Sequence, residues 1–561
     1  MRLLSLELIG KYKGLEDQYF DFRNTEGNIL ALIGLNGSGK SQLLELIAET
    51  FAYLERWQRE DFVTRTALSF GINIQYAIKN QNQTEDMILV NIDKQGGVNS
   101  YKITEDGERH PLLLGAPLPD YIVGYASGLN ENLQRAFMKN SLQYFENKRI
   151  SAQRQKQLSK NVNEVQVLRI NKKYYKKYPH IFKEIYSEED KKHMDAEIVK
   201  QNNFLSLREV NPKPSNFIYL DYDSVGLLLL SLIMLPSEKV EKILGDLGFK
   251  HPIKAKIYYD LRSGVIDSDS IRDIQMLMSF IESDNFIPMS DMSTDEQFEQ
   301  FELNYLAGII EFDFSNSSIL NNLREANYHD PRSFFLRLLK LQQLGNEKWP
   351  DVNKNKLAND NFIDTVKTPL KTQLPLSIVE LRFLNSKNQE VCFDDLSDGE
   401  AQLMQVLAAS TIFGLGQSLF LFDEPETHLN PSWRTYFHTY LENALNINEE
   451  DTEDSQIFLS THSPFMISSL KKENVFFFER NHNGLIDLNP VEEETYGASF
   501  DVIIKRYFGL NTLISQTVVD DINQRLDQSK TYEKRTNLKE WINSELGDSM
   551  EKAYLLRKLD N

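Results

Sequence analysis

The stretch Ile29-Leu30-Ala31-Leu32-Ile33-Gly34-Leu35-Asn36-Gly37-Ser38-Gly39-Lys40-Ser41 decides the fold. Its first five residues are an unbroken apolar run, as in a strand buried on both faces, and Gln42 to Phe51 carries helical spacing. Between them stands the pattern GxxxxGKS, a glycine-rich loop at the start of a helix. Such a loop wraps backbone N–H groups around phosphate oxygens, so Asn36, Gly37, Ser38, Gly39, Lys40, Ser41 and Gln42 are read as the nucleotide-binding set. Lys40 would reach the outer phosphates and the Ser41 hydroxyl would ligate Mg²⁺. Strand, loop and helix in this order predict an α/β fold.

Ser418-Leu419-Phe420-Leu421-Phe422-Asp423-Glu424-Pro425 is a second apolar run, ending in two adjacent carboxylates. At the carboxyl end of a parallel strand, Asp423 would face the glycine loop and hold the metal, while Glu424 would orient or deprotonate an attacking water. Three further pieces accompany it. Leu396-Ser397-Asp398-Gly399-Glu400 precedes the carboxylate strand, and Thr427-His428-Leu429-Asn430-Pro431 and Ser460-Thr461-His462-Ser463-Pro464 follow it. His462 comes directly after the apolar Ile457-Phe458-Leu459, so it too is expected where a strand ends.

With these pieces in this order the chain resembles the ABC-type ATPases, and more closely the branch that includes the SMC, RecF and OLD proteins. The resemblance covers 1–134 and 376–500 and implies a P-loop NTPase head in two halves. By the same resemblance Ser397, Asp398, Gly399 and Glu400 form the signature, Asn430 lies in the D-loop, and His462 contacts the γ-phosphate beside catalytic Glu424. ATP and Mg are the implied cofactors, hydrolysis the implied activity, and a homodimer or higher even oligomer the implied assembly, because a signature serves the nucleotide on another subunit. Asp398 departs from the glycine of the transporter form and sets a carboxylate near that nucleotide. At a finer level, the opening Leu6 to Leu15, the segment Thr495-Tyr496-Gly497-Ala498-Ser499-Phe500 and the short tail are similar to the ATPase subunit of Septu antiphage systems, including the retron-linked variant. That likeness implies a sensor ATPase of a bacterial antiphage defence complex, controlling a separate HNH-type nuclease. In retron loci a reverse transcriptase and its RNA-linked DNA would join them. Two other readings stay open: a RecF/SMC-like DNA repair or recombination ATPase, and a nucleotide-gated scaffold with little turnover.

The expected organisation is a head N-terminal half at 1–134, a helical insertion or lid lobe at 135–375, a head C-terminal half at 376–500 and a helical C-terminal tail at 501–561. Apolar residues at helical spacing in Phe334–Leu341 and Val225–Leu235, without sustained heptads, predict a compact lobe rather than a long coiled coil. Leu220-Asp221-Tyr222-Asp223 imitates the DxD of a Toprim nuclease but reads better as a helix start with Asp223 or Ser224 as N-cap. Asp120 to Tyr125 reads as a strand leading to the Q-loop position, where no glutamine stands and Ser127 and Asn130 are the polar residues. The short tail and the scattered histidines give no reason to expect nuclease activity in this chain.

The formal net charge is −20 over 561 residues, which argues against a surface coated uniformly by nucleic acid. The charge is uneven, however: from Arg135 to Lys183 thirteen Lys or Arg stand against Glu146 and Glu164. This stretch includes Lys172-Lys173-Tyr174-Tyr175-Lys176-Lys177-Tyr178, a run able to grip phosphates and stack bases, or to dock an acidic partner. A single cysteine, Cys392, excludes a disulfide framework and suits a cytoplasmic protein. The longest apolar stretch, Leu227 to Leu235, is too short to cross a bilayer, so no membrane role is expected.

Overall fold

Six apolar segments scattered through the sequence become the parallel strands of one sheet. The computed structural model describes residues 1–560 apart from 128–131, 161, 187–203, 263–265, 294–295, 300, 346–348, 360, 363–373, 447–454, 511–513 and 529–531. The strands lie in the order Phe217–Leu220, Tyr121–Ala126, Ser418–Asp423, Gln456–Ser460, Ile29–Gly34 and Val475–Arg480, each parallel to its neighbours, and Ile486–Pro490 closes the edge antiparallel. Ile29–Gly34, Ser418–Asp423 and Gln456–Ser460 are buried throughout, which is why their sequences read as continuous apolar runs. Because the three are adjacent and parallel, the loops after Gly34, Asp423 and Ser460 open on one edge. The architecture is that of an α/β P-loop NTPase head.

The helix Lys40–Gln58 follows the glycine loop, and every residue from Leu43 to Arg56 is buried. An antiparallel sheet packs on it, ordered Tyr19–Asp21, Arg2–Ile9, Gly71–Lys79, Glu85–Ile92, Val98–Ile103 and Arg109–Pro111. Phe51 of the helix meets Tyr76 of that sheet edge to face, with ring centroids 5.5 Å apart. Leu3 N donates to Gln456 Oε1 at 2.8 Å, tying the antiparallel sheet to the central one.

Between 135 and 375 helices predominate, as the spacing predicts, yet the region does not stand apart from the head. Phe217–Leu220, inside the expected insertion, is the outermost parallel strand of the central sheet. Phe249–Asp260 and Ala307–Asp313 pair with each other, and Phe249–Asp260 pairs with Leu376–Asn385 of the C-terminal half, in a five-stranded antiparallel sheet. Ser224 stands at the N-cap of the helix Val225–Ser231, as one of the two expected residues, but without a side-chain cap bond; Asp221 caps the 3-10 turn Tyr222–Ser224 before it by accepting the Ser224 N–H at 2.9 Å. Residues 498–561 form a second compact unit, whose four helices Phe500–Tyr507, Gln516–Gln528, Tyr532–Glu545 and Met550–Asp560 include a core of Ile522, Leu538, Ile542 and Leu555. No helix among the described residues is long and apolar enough to cross a membrane.

Candidate functional site

The glycine loop needs its glycines for two different reasons. Gly34, Gly37 and Gly39 have φ of 140°, 77° and 107°, a region costly for residues with a Cβ. Close packing adds to this: a Cβ on Gly34 would lie 2.2 Å from Phe478 O, and one on Gly39 2.4 Å from Ile486 Cδ1. The loop is held from outside by Arg480, whose Nη2 donates to Gly37 O at 2.8 Å. Asn36 and Gly37 are exposed, whereas Ser38 Oγ is buried without a hydrogen-bond partner among the described residues. A buried orphan hydroxyl beside positive-φ glycines at a helix N-terminus fits a cradle for phosphate oxygens.

Lys40 is buried, and its Nζ donates to Gly34 O at 3.1 Å and Leu35 O at 3.3 Å. Burial lowers the ammonium's pKa, while the charges of Glu424, Asp423 and Glu426 oppose that shift. Ser41 Oγ donates to Asp423 Oδ1 at 2.9 Å, and Ser460 Oγ donates to the same oxygen. The hydroxyl and carboxylate predicted to hold the metal are thus side by side and offer the oxygen donors that Mg²⁺ prefers. Gln42 stands in the first turn of the helix, next to Ser41. Its side chain accepts Gly14 N at 2.8 Å and its backbone N–H donates to Gly39 O at 3.0 Å, so it ties the Lys11–Gly14 turn to the helix.

Glu424 and His462 converge from neighbouring strands. His462 Nε2 lies 2.9 Å from Lys40 Nζ and 3.4 Å from Glu424 Oε1. One ring nitrogen cannot accept from the ammonium and donate to the carboxylate together. Nε2 therefore serves one partner at a time: without a proton it accepts from Lys40, and with one it donates to Glu424. Contact with His462, with the Lys40 charge behind it, holds the Glu424 carboxyl below the usual range despite partial burial. Glu424 takes a left-handed φ of 53°, stabilised where its N–H meets Ser460 O at 3.1 Å and Ser460 Oγ at 3.2 Å.

The signature segment begins the helix Asp398–Phe413. Ser397 Oγ and Glu400 form a capping box: Ser397 N donates to Glu400 Oε2 at 2.8 Å and Glu400 N donates to Ser397 Oγ at 3.3 Å. Asp398 is exposed in the first turn, where the helix dipole favours a carboxylate. Gly399 lets the D-loop approach, since a Cβ there would meet His428 O at 2.6 Å. Gln402 joins the neighbouring elements, donating to Tyr125 OH at 2.9 Å and accepting His428 N at 3.0 Å. Asn430 caps the helix Pro431–Leu445 by accepting Trp433 N at 2.9 Å. Of the Q-loop candidates, Ser127 Oγ lies 3.0 Å from Thr427 Oγ1, and Asn130 lies outside the described residues.

The basic segment is divided by the fold. Arg135, Lys139 and Arg154 are buried and hydrogen-bonded internally, the first two to Glu49 of the helix Lys40–Gln58 and Arg154 to Asn171 and Glu209. Tyr174 is also buried, in a cluster with Ile150, Ile181 and Phe182, and so is withdrawn from base stacking. Lys172, Lys173, Lys176 and Lys177 remain exposed on the helix Glu164–Lys177. Sequence reasoning missed Ser460, Glu426 and Arg480; the third acid of Asp423-Glu424-Pro425-Glu426 was the one signal that could have found any of them.

A family model described as AAA ATPase domain matches residues 1–467. Protein ea59 of Escherichia phage lambda is 28% identical over 114 residues, 19% of this chain and 21% of that protein. The match therefore spans about a fifth of that relative's length. The Smc head domain with a coiled coil and joint derived from Pyrococcus yayanosii is similar at 13% identity and TM-score 0.31, over 91% of this chain and 99% of that one. The ATP complex of the recombination mediator protein RecF is similar at 13% identity and TM-score 0.31, over 87% and 97%.

Proposed function

This chain belongs to the AAA ATPase domain family, and from that premise we propose that it hydrolyses Mg–ATP between two copies packed head to tail, its ATP state controlling a separate nuclease in an antiphage defence complex. One observation carries the hydrolytic reading: Lys40, Ser41, Asp423, Glu424 and His462, drawn from three loops far apart in sequence, meet at the carboxyl edge of one sheet. Lys40, now bonded to Gly34 O and Leu35 O, would exchange those carbonyls for phosphate oxygens. Mg²⁺ bound at Ser41 and Asp423 would supply charge neutralisation at the phosphates. Glu424, held as a carboxylate, orients water or takes its proton, and His462 is placed to donate to phosphate once Lys40 turns away.

The head-to-tail arrangement is supported by the signature, whose Ser397 makes its hydrogen bonds with Glu400 rather than with the glycine loop of its own chain. The defence reading is supported by the layout of the opening segment, the Tyr496-Gly497-Ala498-Ser499-Phe500 stretch and the short helical tail. The exposed lysines of Glu164–Lys177 are the part of the basic segment left for a nucleic-acid partner such as RNA-linked DNA. Light scattering on Glu424→Gln tests the assembly: ATP should convert it to a dimer or higher even oligomer, and Ser397→Arg should prevent this. A monomer at every ATP and protein concentration would contradict the proposal.

A further inference from the structure

Behind the two catalytic side chains lies a carboxyl to which the hydrolytic reading gives no task. Glu426, 4% exposed, sits two residues past Glu424 on the turn that follows the strand Ser418–Asp423. Thr461, beside His462 on the adjacent loop, donates its hydroxyl to Glu426 Oε1. The same hydroxyl oxygen accepts the backbone N–H of Ser463 at 2.9 Å. The residues on either side of His462 are thus joined through the Thr461 hydroxyl, which is itself tied to the Glu426 carboxylate. The turn is braced on its other side as well, where Thr427 Oγ1 donates to Glu424 O at 2.9 Å and lies 3.0 Å from Ser127 Oγ.

A buried carboxyl carries a desolvation cost that an apolar residue would avoid, and here the cost is not fully met. Glu426 Oε2 is buried with no hydrogen-bond partner among the described residues. Burial pushes the carboxyl up to about 7. A proton on Oε2 would leave Oε1 able to accept from Thr461, so the link between the loops survives in either protonation state.

We propose that Glu426 is a positioning residue for hydrolysis: acting through Thr461, it fixes the loop of His462 against the turn of Glu424 and keeps the two catalytic groups in register. The proposal rests on the hydrolytic reading above. It is a statement about kcat rather than affinity, because neither Glu426 nor Thr461 belongs to the glycine loop.

The experiment measures phosphate release and ATP-analogue binding on the full chain for Thr461→Val, Glu426→Ala, their double variant and Glu426→Gln. Misplacement of a catalytic group by about 1 Å costs on the order of a hundredfold, so T461V and E426A should each lower kcat roughly tenfold to a hundredfold. Affinity and KM should stay within about threefold of the original. The double variant should be no slower than the worse single, since both remove one link, and E426Q, which keeps an acceptor at Oε1, should retain most of the turnover. Multiplying losses, a change in affinity in place of kcat, or unchanged turnover in T461V would overturn the proposal. Should E426A fail to fold, T461V and E426Q decide alone. Glu424→Gln run in parallel separates the two claims: full turnover there removes the hydrolytic reading itself, whereas lost turnover there with an unaffected T461V removes only the positioning role.

Discussion

Replacing Arg135 with Ala should destabilise the head, not merely strip a charge from its surface. Arg135 is 1% exposed; its Nε donates to Glu49 Oε1 at 2.8 Å, and its Nη2 donates to Tyr12 OH at 2.9 Å and lies 3.5 Å from Glu45 Oε2. Removing one partner of a buried ion pair costs about 3–5 kcal/mol, because the other charge stays in low dielectric. Two cations remain to soften the loss: Lys139 stays 3.1 Å from Glu49 Oε2, and Lys13 stays paired with Glu45. The lower end, about 3 kcal/mol, is therefore expected. With an unfolding entropy of about 2.1 cal/mol/K per residue over the unit 1–497, that amounts to a shift of only about 3 °C. Urea denaturation followed by tryptophan fluorescence is the more sensitive assay. Lys173→Ala, on an exposed face, should stay within about 0.5 kcal/mol of the original. Coincident midpoints for Arg135→Ala and the unsubstituted protein would refute the buried seam and return Arg135 to the partner surface that its sequence context suggests.

Gly39→Ala should lower ATP affinity at least tenfold by titration calorimetry, because φ of 107° and the 2.4 Å approach to Ile486 Cδ1 force the loop to move; unchanged affinity would show that the loop gives way cheaply. Lys40→Ala should likewise weaken binding, and tight binding in this variant would remove Lys40 from the phosphate contacts. Glu426 has a folded-state pKa near 7, above its ordinary value, so folding favours its protonated form and the group's contribution to stability falls as pH rises from the ordinary carboxylate range through 7, by up to about 3 kcal/mol. Glu426→Gln should flatten that slope, and an equal difference between the two proteins at pH 5 and pH 8 would contradict it. Reversing Lys172, Lys173, Lys176 and Lys177 to Glu should leave folding intact and weaken binding of a single-stranded oligonucleotide, with the log-log salt slope falling by about 0.7 for each phosphate no longer neutralised. Equal binding would leave these lysines a solvated face.

The nucleotide site was legible because its chemistry is written in short runs. A glycine loop or a pair of acids after an apolar strand fixes its own local geometry, and parallel pairing of Ile29–Gly34, Gln456–Ser460 and Ser418–Asp423 brings the pieces together. The partners of long-range ion pairs are not written that way. Arg135 and Lys139 look like surface cations until Glu45 and Glu49, about ninety residues earlier, appear on the facing helix. Phe217–Leu220 was hidden for a related reason: four apolar residues before a helix cap carry no sign of the strand they will join, and pairing with Tyr121–Ala126 is a tertiary event. Gln42 shows the limit of motif reading at a single position, since its place beside Ser41 says nothing of the Gly14 N–H that claims its side chain.

Steady-state phosphate release by Glu424→Gln, paired with nucleotide retention on the same sample, decides whether this site hydrolyses ATP. The variant keeps the side chain's shape and removes the carboxylate that sits beside His462 and Lys40. If Glu424 activates the water, turnover should drop by at least about a hundredfold, with Mg–ATP bound as tightly as before and retained unhydrolysed. Turnover equal to that of the unsubstituted protein would contradict it.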